Sequence, residues 1–281
     1  MPIYVLLMED GNRFLQLENS AGSLMTTLFD ATLALARILG IIYEGTATGG
    51  SATTLVDTVR AESADFFNNG TIWIRSGNNS NKSAVITDWA LSGTTFTFPT
   101  LTLLCAAGDL YSVCTGEWQR GELINCINMA LQKIGRVAIL DTSLAVVADQ
   151  EAYDLPVGVS GLLRVEVAQD GATYVIHQQW REENDDLMFD TGHAPGSGSI
   201  RLTYAGAHLP LTTDGGVVSS QVSIEWLKWS AAVFAWRRRL QQSEGKDSWV
   251  LRMINEALAQ EAAAAGKYPI EIDKDAHLAR W

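Results

Sequence analysis

The chain has 281 residues, 47% hydrophobic and 19% charged, with a formal net charge of −12 at pH 7. That balance is globular, not disordered, and it lacks the Lys and Arg surplus needed for a sequence-independent grip on nucleic acid. The opening run MPIYVLLMEDGN has no basic flank or small-residue cleavage site, and no stretch reaches ~18 uninterrupted apolar residues, so neither a signal peptide nor a membrane span is expected.

That opening run is expected to form a buried strand or a packing arm. The first helix is expected from about Ser23 to Leu39, with Leu24, Leu28, Ala31, Leu35 and Ile38 on one stripe and Gly40 as its stop. From Gly45 to Val113 the composition turns to Thr, Ser, Gly and Asn. Short β-prone runs lie at Thr71–Arg75, Ser83–Trp89, Thr95–Phe98 and Leu101–Leu104, separated by turn signals such as Asn69-Gly70 and Ser92-Gly93. This spacing suits a small antiparallel barrel or sandwich.

A second helix is expected over Glu117–Ile134, with Leu123, Ile127, Ala130 and Ile134 inward and Gly135 as its stop. A second β-prone region spans Thr142–Thr212, with candidate strands at Tyr153–Leu155, Leu162–Ala168, Ala172–Gln179 and Ser199–Tyr204 and a hairpin turn at Asp170-Gly171. The third helix, Ser219–Gln242, carries Val222, Trp226, Trp229, Val233, Trp236 and Leu240 at alternating spacings of four and three. Tryptophans on one stripe are costly to leave wet, since each buries roughly 150–250 Å². The fourth helix starts at Asp247, a plausible N-cap, and runs through Ile254, Leu258 and the EAAAA run to Gly266 and Pro269.

These elements predict an α+β chain: a discontinuous four-helix bundle with two antiparallel β inserts, barrel- or sandwich-like, and an extended C-terminal arm. The bundle takes residues 19–40, 117–136 and 219–266; the inserts take 45–115 and 137–212; the arm takes 267–281.

Motifs for chemistry are weak. Gly45–Ser51 has no Gly-Lys-Ser/Thr ending, so it reads as a flexible turn and not a phosphate loop, and Gly196-Ser197-Gly198 reads the same way. Ser160 misses the nucleophile-elbow pattern. The four histidines, His177, His193, His208 and His277, show no metal spacing. The acidic run Glu182–Asp186 reads as a solvated loop between strands, because it lacks the alternation and central glycine of a calcium loop. Cys105, Cys114 and Cys126 form no CxxC pair, so buried reduced thiols and a reducing compartment are expected. No catalytic group, cofactor or metal site is expected.

Two stretches suggest contacts with partners. Arg237, Arg238 and Arg239 sit where a helix dipole favours cations, and guanidinium forks also suit an intersubunit contact to carboxylates. In the last fifteen residues Tyr268, Ile270, Ile272, Leu278 and Trp281 are too apolar for an idle tail. They suggest an arm that docks on a neighbour, with folding back on the chain's own helices as the alternative.

Several short stretches carry a likeness. They are Gly45–Thr48 with Thr53–Thr58, then Asn128-Met129-Ala130-Leu131, Asp141–Leu144 and Glu151–Pro156. There the chain resembles bacteriophage head–tail connector proteins, the adaptor or neck components beneath the portal. The resemblance implies a virion structural protein at the capsid–tail junction, made in the bacterial cytoplasm. It implies a twelvefold homo-oligomeric ring contacting the portal protein and tail or neck proteins, with no enzymatic activity and no membrane. An acidic lumen would let genomic DNA pass without sticking. The alternative is a tail or baseplate protein whose β modules bind glycans through exposed aromatics such as Trp73 and Trp89. A hydrolase would require a pocket gathering Glu or Asp with His.

Overall fold

The computed structural model describes residues 4–9, 12–17, 26–159, 161–169 and 173–268. They form two compact units, one within residues 4–131 and 210–268 and one within residues 132–209.

In the first unit, β1 (Tyr4–Glu9) and β2 (Asn12–Leu17) pair antiparallel; the side-chain burial expected in this opening run lies outside the described residues. Helix α1 (Leu28–Ile38) begins at a capping box: Thr27 Oγ1 accepts from Asp30 N, and Asp30 Oδ2 accepts from Thr27 N. Gly40, at φ +69°, ends it as expected.

The chain then builds β3 (Tyr43–Thr46), β4 (Gly49–Gly50), β5 (Thr54–Val56), β6 (Thr71–Ile74), β7 (Lys82–Val85), β8 (Asp88–Ala90), β9 (Thr95–Thr97) and β10 (Leu110–Val113). One sheet runs β3-β10-β6-β7 and the other β4-β5-β9-β8. Each edge strand of the first runs on into an edge strand of the second, through Ala47-Thr48 and through Ile86-Thr87. The two sheets therefore close into a small antiparallel barrel, which leaves no long open edge. Its interior holds Leu55, Phe67, Ile72, Ile74, Trp89, Phe96 and Tyr111. The rings stack in sequence, with Phe67–Trp89, Trp89–Phe96 and Phe96–Tyr111 centroids at 5.4, 4.4 and 5.4 Å.

Two local expectations fail here. Leu101–Leu104 makes no strand; the Asn79 side-chain amide instead brackets Leu103, donating to its carbonyl and accepting from its N–H. Gly45–Ser51 is strand, corner and strand, not a flexible turn. A Cβ on Gly45 would stand 2.6 Å from Tyr111 Oη and 2.7 Å from Asp57 Oδ2, so glycine lets that pair lie against β3. Gly45→Ala is expected to destabilise the chain by about 1–3 kcal/mol, read as a lower urea midpoint with an unchanged slope.

Helix α2 (Arg120–Lys133) buries Leu123, Cys126, Ile127, Ala130 and Leu131 and stops before Gly135 at φ +85°. The second unit follows with β11 (Arg136–Asp141), β12 (Ala152–Asp154), β13 (Leu162–Ala168), β14 (Val175–His177), β15 (Trp180–Glu183), β16 (Asp186–Phe189) and β17 (Ser199–Ala207). A sheet β11-β17-β13-β14 and a sheet β12-β16-β15 share a core of Tyr153, Leu162, Val165, Trp180, Leu187, Phe189, Ile200 and Leu202. The acidic run is the β15–β16 hairpin itself. Asn184 and Asp185 take φ +54° and +66°, the two left-handed positions of a type I′ turn. The Asp170-Gly171 turn and Ser160 lie outside the described residues.

Helices α3 (Ile224–Gln242) and α4 (Ser248–Lys267) complete the first unit. Asp247 caps α4, accepting from Trp249 N and Val250 N.

The expected discontinuous four-helix bundle is not what forms. The chain is mixed α/β and strand-rich, with no helical-bundle core among the described residues. Helix α1 packs on α3, and α3 on α4. Seven of the eleven residues of α1 are buried, too many for a single stripe. Its other side meets the barrel, where Trp73 Nε1 donates to Thr32 Oγ1 at 3.1 Å and Arg37 pairs with Glu44 of β3 at 3.0 Å.

The face of α3 also differs from expectation. Leu227, Ser230, Ala231, Ala232, Val233, Ala235 and Trp236 are buried, whereas Trp226, Trp229 and Leu240 are only half-buried. Small residues let neighbouring helix backbones approach, and of the three indoles only Trp236 is buried among them.

Candidate interaction surfaces

The basic end of α3 is largely consumed within the chain. Arg238 pairs with Glu122 and Arg239 with Glu117, tying α3 to the start of α2. Arg237 is exposed and makes no ion pair among the described residues. Tyr268 caps the far end of α4, its N–H donating to the Ala264 carbonyl at 2.9 Å, and its ring is partly exposed beneath Lys267 Nζ. The twenty-residue α4 separates the arginines from Tyr268 by roughly 30 Å, at 1.5 Å per residue. They therefore do not form one surface. Ile270, Ile272, Leu278 and Trp281 lie outside the described residues.

A second candidate had no sequence signal. Beside β3 and β5 a cleft of about 630 Å³ is lined by Glu44, Thr46, Asp57, Val59, Arg60 and Glu62. Arg60 is its centre. Nε donates to Tyr111 Oη at 2.8 Å, Nη1 to Glu62 Oε1 at 2.9 Å and Nη2 to the Glu44 carbonyl at 2.7 Å. Tyr111 Oη in turn donates to Asp57 Oδ2 at 2.6 Å. Burial and the bond to Asp57 push the Tyr111 hydroxyl well above its ordinary range. Burial pulls the Arg60 guanidinium down, but its bonds to Tyr111 and Glu62 outweigh that and leave it raised. Each polar group has a partner, so the cluster rivets strand to strand and presents no poised acid or base. Its members lie at positions 44, 57, 60, 62 and 111, a spread that no spacing motif reports.

The third candidate lies in the second unit. A groove of about 740 Å³ runs beside β14, lined by Val167, Val175, Ile176, His177, Ala194 and Pro195 among others. Val175 and Ile176 are 65% and 55% exposed. His177 Nε2 is buried without a hydrogen-bond partner, and its ring stands edge-on to Phe189 at 4.9 Å. Burial, then the neighbouring His193, lowers the His177 pKa, so the ring is neutral near pH 7. His208 stands elsewhere, Nδ1 facing the Leu209 carbonyl at 2.7 Å, and His277 is outside the described residues.

The glycan alternative loses its named aromatics. Trp73 and Trp89 are fully buried, their indole N–H groups donating to Thr32 Oγ1 and the Glu62 carbonyl. The three thiols are buried and unpaired. Burial pushes Cys114 and Cys126 up from 9.0 to about 11. The folded state therefore favours the protonated thiols, a contribution intact below pH 9 and lost as pH climbs towards 11. Maleimide labelling of both should be slow at pH 8 until the chain unfolds, and Cys114→Ala should shift base-induced unfolding to higher pH.

Among the described residues no cluster of three or more His, Cys, Asp or Glu is arranged to hold a metal, and no helix is long and apolar enough to cross a membrane. No family model and no curated protein matches the chain.

Proposed function

We propose that the chain is a bacteriophage virion structural protein, a neck or adaptor subunit that assembles as a ring between portal and tail. The observation that carries this reading is on α4. One stripe, Val250, Ile254, Ala257, Glu261 and Ala264, is spent inside the unit. The adjacent stripe, Leu251, Leu258, Ala262 and Ala265, is exposed, and Trp249 is 45% exposed at its start. Its spacings of seven, four and three are those of a helix with a second helical partner. A neighbouring copy in a ring supplies such a partner. The likeness to head–tail connectors at Gly45–Thr58 and Asn125–Pro156 points the same way, and the acidic balance suits a channel through which DNA slides.

In this reading the protein's work is mechanical. Helices pair around the ring, and the β modules meet neighbouring neck or tail components. Phage particles assembled without this chain should accumulate as filled heads lacking tails by negative-stain microscopy. Complete, infectious particles formed in its absence would overturn the reading.

A further inference from the structure

We infer that the outer edge of β14 takes up the Pro269–Asp273 segment of a neighbouring copy as an added strand. This rests on the assembly reading above and names one contact within it. Among the described residues no strand pairs with the outer edge of β14, which ends its sheet. An open edge with exposed apolar side chains is a template for another strand, and Val175 and Ile176 supply both features.

The sequence after α4 fits that template. Pro269-Ile270-Glu271-Ile272-Asp273 alternates apolar and acidic residues with the period of a strand. Proline lacks an N–H and is tolerated at the first position of a strand. The groove beside β14 offers Val167, Ala194 and Pro195 to the isoleucines.

Charge does not oppose the pairing. None of the groove-lining residues is Asp or Glu, although the chain has 32 acidic against 20 basic residues. His177 and His193 are the ionisable groups in the lining. Asp190, close by, is paired with Arg181 Nη1 at 3.3 Å. With Ile270 and Ile272 towards the groove, Glu271 and Asp273 fall on the opposite face of the added strand, where Glu166, the β13 partner of Ile176, is already paired with Arg201.

The segment begins directly after Tyr268, so the contact seats the neighbour's β14 against the end of α4. A strand addition over three residues is weak alone, but repetition around a closed ring multiplies it through effective concentration.

Photo-crosslinking of the full chain tests this. Ile272 is replaced by benzoylphenylalanine, and equal amounts of natural-abundance and ¹⁵N-labelled protein are mixed and irradiated at the highest soluble concentration. The expected products join position 272 to residues 173–177 or 192–196, with half of the pairs isotopically mixed. Ile176→Asp, a change on an exposed edge, should cut their yield about tenfold or more by placing a carboxylate in the contact. Cross-links to another surface, cross-links confined to single copies, or none at all would overturn the strand addition. Location in the virion is measured separately, so that loss would leave the neck assignment standing.

Discussion

Trp236→Ala is expected to lower the stability of the chain by about 3–5 kcal/mol. Trp236 is 1% exposed on α3 and meets two other indoles edge-to-face, Trp118 at 6.0 Å and Trp249 at 5.2 Å. Removing it opens a cavity where the α3–α4 pair meets the segment leading into α2. Denaturant unfolding followed by far-ultraviolet circular dichroism should show the midpoint fall with little change of slope. Trp236→Phe makes the mechanism specific. The Trp236 Nε1 is buried with no hydrogen-bond partner, so phenylalanine removes an unsatisfied donor while keeping much of the ring. Its loss should be less than half that of the alanine variant.

Asp57→Ala is the second large effect, about 3 kcal/mol. Asp57 is 3% exposed, accepts from Tyr111 Oη and from Val59 N, and stands 3.7 Å from Arg60 Nε. Truncation leaves the Tyr111 hydroxyl without its acceptor and the nearly buried Arg60 with one carboxylate fewer. Arg60 keeps Glu62 and the Glu44 carbonyl, which holds the cost below that of a wholly orphaned charge. Asp57→Asn, retaining an oxygen for Tyr111, should lose about half as much. Thermal unfolding of the three proteins side by side gives the ranking: wild type, Asn, Ala. Equal midpoints for all three would show that the cluster contributes nothing to the barrel.

Local signals in the sequence were readable where a single residue type dictates backbone geometry. Asp247 as a cap and Gly40 and Gly135 as stops follow from such rules, and β13 over Leu162–Ala168 from a β-prone run. The bundle did not form because periodicity reports that a helix has a buried face without saying what covers it. For α1 the cover is α3 on one side and the barrel on the other, joined through Thr32 and Trp73. For α3 the expected positions Val222, Val233 and Trp236 are buried, but the buried face turns towards Ala231, Ala232 and Ala235, whose small side chains allow close approach, and leaves Trp226, Trp229 and Leu240 half-buried. β3, β4 and β5 were hidden in a Gly- and Thr-rich run whose strand character depends on Tyr111 and Asp57 lying against Gly45. The Arg60 cluster was invisible because its members converge only after the barrel closes. The groove beside β14 was equally illegible, since its walls, from β13, β14 and the 192–196 turn, meet only in the folded unit.

The most direct measurement is immunogold labelling of intact virions carrying an epitope tag in the α3–α4 turn. Glu244 and Lys246 there are about 80% exposed. A neck subunit predicts gold at the capsid–tail junction, with one cluster per particle. Gold at the distal tail tip, or tagged protein absent from purified particles, would contradict it.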